Sequence, residues 1–377
     1  MYLLNGHERH TVTADTMMRM LCVFNPQSSA PRYTTRTAYI PWSPSLSSQQ
    51  PRTPTAYCRP SARRIDILDK VRTRLQIGWT PAEPTPLDAD IDVRIDRLVA
   101  RVRGARITAL TGAGISTDSG IPDYRSPGAP VRTPMTAQMF LSSPDFRRHY
   151  WARNHLGWRH MDAARPNSGH QALTDLQRQE RLSGVITQNV DMLHTKAGTR
   201  NVIELHGCYG RVRCMGCGWT ISRHRLAAIF ESLNPGFADR VRGRGAIEVA
   251  PDADMTVDET GDFVVADCPQ CAGILKPDIV YFGENAPKNI VAQSYSLIDA
   301  SDVLLVAGSS LTVMSGLRFA RYARRTGKLV VVLNRGATRA DDIADDKIDH
   351  YCGVVLPALA ERLAEPAQIQ TVTRSSA

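Results

Sequence analysis

The sequence predicts an α/β protein: a parallel β-sheet covered by helices, with a small metal-binding module inserted into it. From about residue 89 onward, short apolar strands alternate with helical stretches, the pattern of crossover units that bury a parallel sheet on both faces. Three strands run into glycine and small polar residues, at "TGAGIS", "AGSS" and "LNRG". Two C-x2-C pairs, Cys214/Cys217 and Cys268/Cys271, have the spacing that brings four thiolates to one tetrahedral zinc.

The chain has 377 residues, enough for two domains or for one large domain with an insertion and a tail. It is 42% hydrophobic and 22% charged, an ordinary balance for a globular chain, and no apolar run approaches the length of a membrane span. The formal net charge is +9, but much of the basic excess is Arg in the first hundred residues. With no DNA-binding motif and no interleaved basic and aromatic face, nucleic acid is disfavoured as a substrate. Residues 1–88 differ from the rest. The stretch "FNPQSSAPRYTTRTAYIPWSPSLSSQQPRTPTAYCRPSARR" has no acidic residue and neither helical nor strand periodicity, so residues 1–88 are expected to be a disordered extension. An Arg- and Ser-rich, acid-poor start has the composition of an organellar transit peptide; an extension without an address is the favoured reading.

The elements follow in order. "DADIDVRIDRLVARVRG" spaces Ile91, Val93, Ile95, Leu98, Val99 and Val102 mostly at helical intervals and closes on Gly104. "ARITALTGAGIS" is a strand ending at Gly112 and Gly114. The loop departs from the dehydrogenase fingerprint, because Thr117 replaces the third glycine of G-x-G-x-x-G and no strand ending in an acid follows. Hydride transfer is therefore disfavoured. The polar "DSGIPDYRSPGAPVRTP" leads into a helical insertion over about 125–165. "GVITQ" and "NVIEL" are the next strands; the first ends in Gln188, Asn189 and Asp191, the second just before His206. "SDVLLVAGSS" and "KLVVVLNRG" complete the sheet around the helical "SGLRFARYARRTG". The boundaries are a nucleotide-binding domain over 89–206 and 273–360, a zinc module over 207–272, and a flexible tail over 361–377.

In an open parallel sheet, ligands sit outside the carboxyl ends of the strands, where glycine lets backbone amides approach a pyrophosphate. His206 stands on that rim, where an imidazole serves as a general base. Four thiolates leave zinc no open position, so the metal is expected to hold structure rather than do chemistry. Tyr150 and Arg153, three apart in "HYWARNHLGW", share one face of a helix, and a phenol with a guanidinium suits a carboxylate; a packed aromatic beside a solvated Arg is the equal alternative.

In the order "GAGIS", "GIPDYR", "TQNVDMLH", "ELHG", the paired knuckles, "KPDIVYFGE", "GSSLTV" and "LNRG", the chain resembles the sirtuins, NAD-dependent protein deacylases, over roughly residues 100–357. It looks closest to the class II branch, which includes a mitochondrial vertebrate member. The resemblance implies a Rossmann-like domain, one structural zinc, and NAD consumed as a co-substrate. It implies that Gly112, Ala113, Gly114 and Ser116 cradle phosphates, and that Asp123, Tyr124 and Arg125 belong to a loop closing over nicotinamide. Gln188, Asn189, Val190 and Asp191 would hold the ribose and carboxamide. Gly308, Ser309, Ser310, Asn334, Arg335, Gly336 and Cys352 would bind the adenosine half. His206 and Asn189 take the catalytic positions; Val280, Phe282 and Gly283 would contact the acylated lysine, whose peptide adds as a strand beside "IVYFGE". The implied reaction moves the acyl group from a protein lysine to ADP-ribose as nicotinamide leaves, with His206 deprotonating a ribose hydroxyl. Y-x-x-R at this place resembles sirtuins that remove succinyl and malonyl groups, so acidic or longer acyl chains are expected over acetyl. ADP-ribose transfer to a protein is the alternative activity. The expected location is the cytoplasm, or mitochondria if the extension is a transit peptide, and the sequence sets no oligomeric state.

Overall fold

The computed structural model describes residues 87, 90–123, 135–242 and 260–364. The expected extension (except residues 87, at its end), Tyr124 and Arg125, and the tail from 365 onward lie outside the described residues.

Helix α1 (Ile91–Val102) buries Ile95, Leu98, Val99 and Val102, one stripe at helical spacing, and Gly104 follows it at φ 88°. Strand β1 (Ile107–Thr111) is buried along its whole length. Helices α2 (Ala137–Ser142), α3 (Pro144–Ala163) and α4 (Ser168–Arg178) follow, then β2 (Leu182–Thr187), the short α5 (Leu193–Lys196) and β3 (Val202–Glu204). The small module contains β4 (Gly207–Cys214), β5 (Thr220–Ser222), α6 (Arg223–Leu233), α7 (Phe237–Arg242) and β6 (Leu275–Ile279). The chain returns through α8 (Lys288–Asp299), β7 (Val303–Ala307), α9 (Met314–Arg325), β8 (Leu329–Leu333), β9 (Asp346–Ile348) and α10 (Cys352–Ala364).

The large sheet has the order β3-β2-β1-β7-β8-β9, and every pairing in it is parallel. One face packs on α1, α4 and α10, the other on α8 and α9. Strands covered on both sides must be apolar throughout, which is why "VLLVA" and "LVVVL" show no alternation.

The second sheet is antiparallel, in the order β5-β4-β6. Because β6 pairs with β4, from Cys214 opposite Leu275 to Gly207 opposite Ile279, the module extends to Ile279 and not to 272. The helical insertion belongs with it. Phe140, Tyr150 and Trp151 of α2 and α3 share a core with Tyr209, Phe230 and Tyr281, so the insertion and the module form one small lobe. At the other end, α10 carries residues 361–364, where a flexible tail was expected, because Leu359, Ala360 and Leu363 bury against the sheet.

Candidate active site

Strands β1 and β7 lie side by side at the centre of the sheet, and the connections leave them in opposite directions. At such a switch point the loops at the carboxyl ends splay apart and open a crevice. Here the first two loops interlock. Gly112 N–H donates to Ala307 O (3.2 Å) and Gly114 N–H to Gly308 O (2.9 Å). A Cβ on Gly112 would stand 2.7 Å from Ser309 Cβ; one on Gly308, which sits at φ 63°, would stand 2.3 Å from Ile115 N. Only glycine lets the two loops meet.

The end of β2 supplies amides to both loops. Gln188 Nε2 donates to Ser309 Oγ (2.7 Å) and Thr111 O (3.2 Å). Asn189 Nδ2 donates to Gly112 O and to Ser116 Oγ, each at 3.0 Å. The Ser116 hydroxyl donates to Asp191 Oδ2 (2.7 Å), whose other oxygen accepts from Leu193 N–H (2.9 Å). Burial pushes the Asp191 carboxyl up, opposed by these hydrogen bonds. Val190 adds a backbone link, its carbonyl accepting from Tyr209 N–H (3.0 Å).

His206 follows β3. Its Nδ1 lies 2.8 Å from Gln188 O and its Nε2 2.8 Å from Ser315 Oγ. A carbonyl only accepts, so Nδ1 carries the proton and Nε2 is the acceptor nitrogen, its lone pair facing the Ser315 hydroxyl. Burial holds the imidazole below its ordinary value, against the pull of the Gln188 carbonyl, so the neutral ring is the base-competent form at neutral pH. Val280 N–H donates to His206 O (2.8 Å), which brings Val280, Phe282 and Gly283 alongside it. Phe282 also bridges to Thr136, and Gly283 turns at φ 88°.

The third loop follows β8. Asn334 Nδ2 donates to Arg335 O (2.8 Å) and Gly336 O (3.2 Å), while Arg335 and the Gly336 N–H both engage Asp349 Oδ1 (2.8 and 2.9 Å). Cys352, at the start of α10, is buried beside Leu333 O, and desolvation pushes its thiol up to about 12. It is therefore a neutral packing group. Ser310 Oγ pairs with Thr312 Oγ1 (2.8 Å), Ala113 opens a 3₁₀ turn that ends at Ile115, and Asp123 is half-buried where the described loop ends.

Tyr150 and Arg153 both lie on α3, as the spacing predicts. The Tyr150 ring is in the core of the small lobe, edge-on to Phe140 and Tyr281, with its hydroxyl 3.2 Å from that of Tyr209. Arg153 Nη1 donates to His149 Nε2 (2.9 Å). Two participants escape the sequence reading. Ser315 opens a stretch that reads only as a helix, and Asn167, whose Nδ2 holds Ile115 O (2.8 Å) and Ser119 Oγ (3.0 Å) while its side chain caps α4, is not singled out by the sequence.

The metal site stands apart. The sulfurs of Cys214, Cys217, Cys268 and Cys271 all lie within 4.8 Å of one another, with Cys214–Cys271 at 3.5 Å and Cys217–Cys268 at 3.8 Å. Four thiolates about 2.3 Å from a tetrahedral zinc stand roughly 3.8 Å apart, so the cluster fits zinc. The N–H groups of Cys217 and Gly216 hold the Cys214 thiol down to about 6, while hydrogen bonding to Cys214 and Cys217 pushes Cys271 up to about 12. Crowded sulfurs resist common ionisation without a cation among them.

Residues 112–315 match the model of the Sir2 family. The chain belongs to the Sir2 family. This sirtuin is 59% identical over 267 residues to the NAD-dependent protein deacetylase 1 of Mycobacterium avium (strain 104), covering 71% of this chain and 95% of the relative. It is 42% identical over 291 residues to the mitochondrial NAD-dependent protein lipoamidase sirtuin-4 of Bos taurus, covering 75% and 90%. A solved Sir2 homologue–NAD complex superposes with a TM-score of 0.54 at 26% identity, covering 75% of this sirtuin and 96% of that chain. Residues 1–32, outside the described residues, match the model of ectoine synthase.

Proposed function

We propose that this sirtuin is an NAD-dependent protein lysine deacylase that prefers acidic or longer acyl chains to acetyl. The observation that carries the reading is the double hold on His206, a half-buried imidazole kept neutral by desolvation, with Nδ1 fixed on Gln188 O and Nε2 left as the acceptor nitrogen facing the Ser315 hydroxyl. The interlocked glycine loops, which a Cβ would force apart, stand at the carboxyl ends of β1 and β7, where a dinucleotide pyrophosphate is received in sheets of this kind. NAD held there supplies an electrophilic ribose carbon once nicotinamide departs, and a ribose hydroxyl to receive the acyl group.

The chain's own groups do the rest. His206 takes the hydroxyl proton at Nε2. Asn189 and Asp191, cross-tied through Ser116, orient the ribose and carboxamide; the loops of Gly308 and Asn334 receive the adenosine half. The segment Val280–Gly283 offers its edge to an extended peptide, so recognition rests on main-chain pairing. Arg153 reads the far end of the acyl chain, while Tyr150, buried with its hydroxyl on that of Tyr209, is a packed aromatic of the small-lobe core. Cys214, Cys217, Cys268 and Cys271 would hold one zinc, which would tie the small lobe together without taking part in the reaction. The names of the M. avium and B. taurus relatives support deacylation, and the second supports a long acyl chain.

The test is mass spectrometry of the protein with NAD, acetyl-, succinyl-, glutaryl- and lipoyl-lysine peptides, and a protein acceptor. The expected result is loss of acyl mass with O-acyl-ADP-ribose formed, abolished in His206→Ala, and selective loss of acidic substrates in Arg153→Leu. Intact peptides beside an acceptor that gains ADP-ribose would overturn the deacylase reading in favour of ADP-ribosyl transfer.

A further inference from the structure

Ser315 is the second residue of α9, 109 positions from His206 in the chain, yet its hydroxyl lies 2.8 Å from His206 Nε2. Close packing of the α9 start against the end of β2 makes this reach possible: a Cβ on the neighbouring Gly316 would stand 2.5 Å from Gln188 Oε1. Gln188 is also the residue whose carbonyl holds His206 Nδ1. The imidazole is thus gripped from both ring nitrogens by two elements that press on each other.

We infer that Ser315 is a positioning residue for the general base, a hydroxyl rotor that keeps His206 Nε2 partnered in both protonation states. The inference rests on the deacylase reading only for its consequence in turnover. When the ring is neutral, the Ser315 O–H donates to the Nε2 lone pair. For Nε2 to take a proton the hydroxyl first turns and frees the lone pair; its oxygen then accepts from the new Nε2–H, and no covalent bond to Ser315 forms or breaks. A carbonyl at this place would trap the proton and an ammonium would repel it. A hydroxyl serves both states.

The sign of the effect follows from hydrogen-bond strength. A bond to the charged imidazolium is roughly twice as strong as one to the neutral ring, so losing the hydroxyl destabilises the cation more. Burial and Arg318 of α9 already disfavour the cation, and the Gln188 carbonyl supports it. On the neighbouring strands, Glu204 and Asp278 are both engaged by Arg211, at 2.6 and 3.0 Å, and the Cys208 thiol is pushed up to about 11 by burial. On the β2 side, Asp191 is engaged by Ser116 and Leu193. None of these presents a free charge that substitutes for the Ser315 oxygen.

The experiment is an NMR titration of histidine-labelled full-length protein without NAD or peptide, with the His206 signals assigned by their absence in His206→Gln. Ser315→Ala is expected to lower the His206 pKa by roughly one pH unit, and Ser315→Thr to restore it. Ser315→Cys, which keeps the shape with a weaker partner, is expected to fall between, and it serves if the alanine variant folds poorly. With deacylation measured alongside, Ser315→Ala is expected to lower kcat with KM for NAD little changed and to move the acid limb of the pH profile downward. A His206 titration unchanged in both Ser315→Ala and Ser315→Cys, or raised in either, overturns the inference. Because the titration uses no substrate, its outcome is independent of whether deacylation is the reaction.

Discussion

Lys276 and Glu284 form a pair on which the segment Val280–Gly283 depends. The Lys276 side chain is 8% exposed, with its ammonium 2.9 Å from Glu284 Oε2. It also donates to Ile279 O (2.5 Å) and lies 4.4 Å from the centroid of the Tyr281 ring. The same Glu284 oxygen accepts from Tyr281 N–H (2.8 Å), so one carboxylate ties β6 to the segment that follows it beside His206. Glu284→Gln keeps an acceptor for Tyr281 but leaves a buried ammonium without its counter-charge. Removing one partner of a buried pair costs about 3–5 kcal/mol. Glu284 is 26% exposed and the Tyr281 ring face helps the cation, so the lower end, about 3 kcal/mol, is expected.

The double variant Lys276→Met/Glu284→Gln removes both charges and keeps the volume, and is expected to lose only about 1 kcal/mol. The assay is urea unfolding of the wild type, both singles and the double at fixed zinc. Because Glu284→Gln alone is expected to cost about 3 kcal/mol and the double about 1, the coupling between the two positions is expected to be at least about 2 kcal/mol, larger by whatever Lys276→Met costs alone. Peptide affinity, read by calorimetry, should fall in Glu284→Gln and recover in the double. Additive losses would refute the reasoning, since they would mean that the two charges do not depend on each other.

Three further outcomes follow from the structure. His155, His170 and His194 are buried with pKa values lowered to about 4, 4 and 3 by desolvation, so the unfolded chain binds their protons first; stability should be full above about pH 6.5 and fall by about 1.4 kcal/mol per pH unit per imidazole as pH drops toward 4, read as urea midpoints at pH 7.5 and 5, with a shallower fall in His194→Gln. Stripping the metal with a strong chelator should release one zinc per chain by mass spectrometry and lower the melting temperature, with zinc and not magnesium restoring it. Gly308→Ala should weaken NAD binding at least about tenfold by calorimetry, because its Cβ meets Ile115 N at 2.3 Å, whereas Gly104→Ala, with φ 88° but open space, should lose about 1 kcal/mol of stability and leave NAD binding alone.

The sheet was legible because its strands are local events. Runs such as "VLLVA" declare burial on both faces within five residues, and α1 shows its buried stripe in a single helix. The zinc cluster was legible because ligand spacing within each knuckle is fixed by the metal's geometry. What escaped depends on contacts between distant segments. "LKPDI" reads as the resumption of the large domain, but its hydrogen bonds go to β4, some sixty residues earlier, so the module boundary moved to Ile279. Helical spacing placed Tyr150 and Arg153 on one helix; it carried no information that the phenol meets Tyr209 and the guanidinium His149. Strand β9, with the residues Asp346, Lys347 and Ile348, has too little apolar pattern to announce itself, and it forms because β8 offers an edge.

Gln188 explains why the chemistry sits at this junction. Its side-chain amide joins the loops after β1 and β7, while its backbone carbonyl fixes the tautomer of His206. The loops proposed to hold the dinucleotide and the imidazole proposed to take the proton are therefore set by one residue at the end of β2. The start of α9 packs on that residue and contributes Ser315 to the other side of the same imidazole. A displacement of α9 along its axis would move the Ser309 loop and the base together, so cofactor seating and base alignment are coupled by packing. The strand that opens onto two amides and a carboxylate is thus the part of the fold that makes binding and proton transfer a single geometric condition.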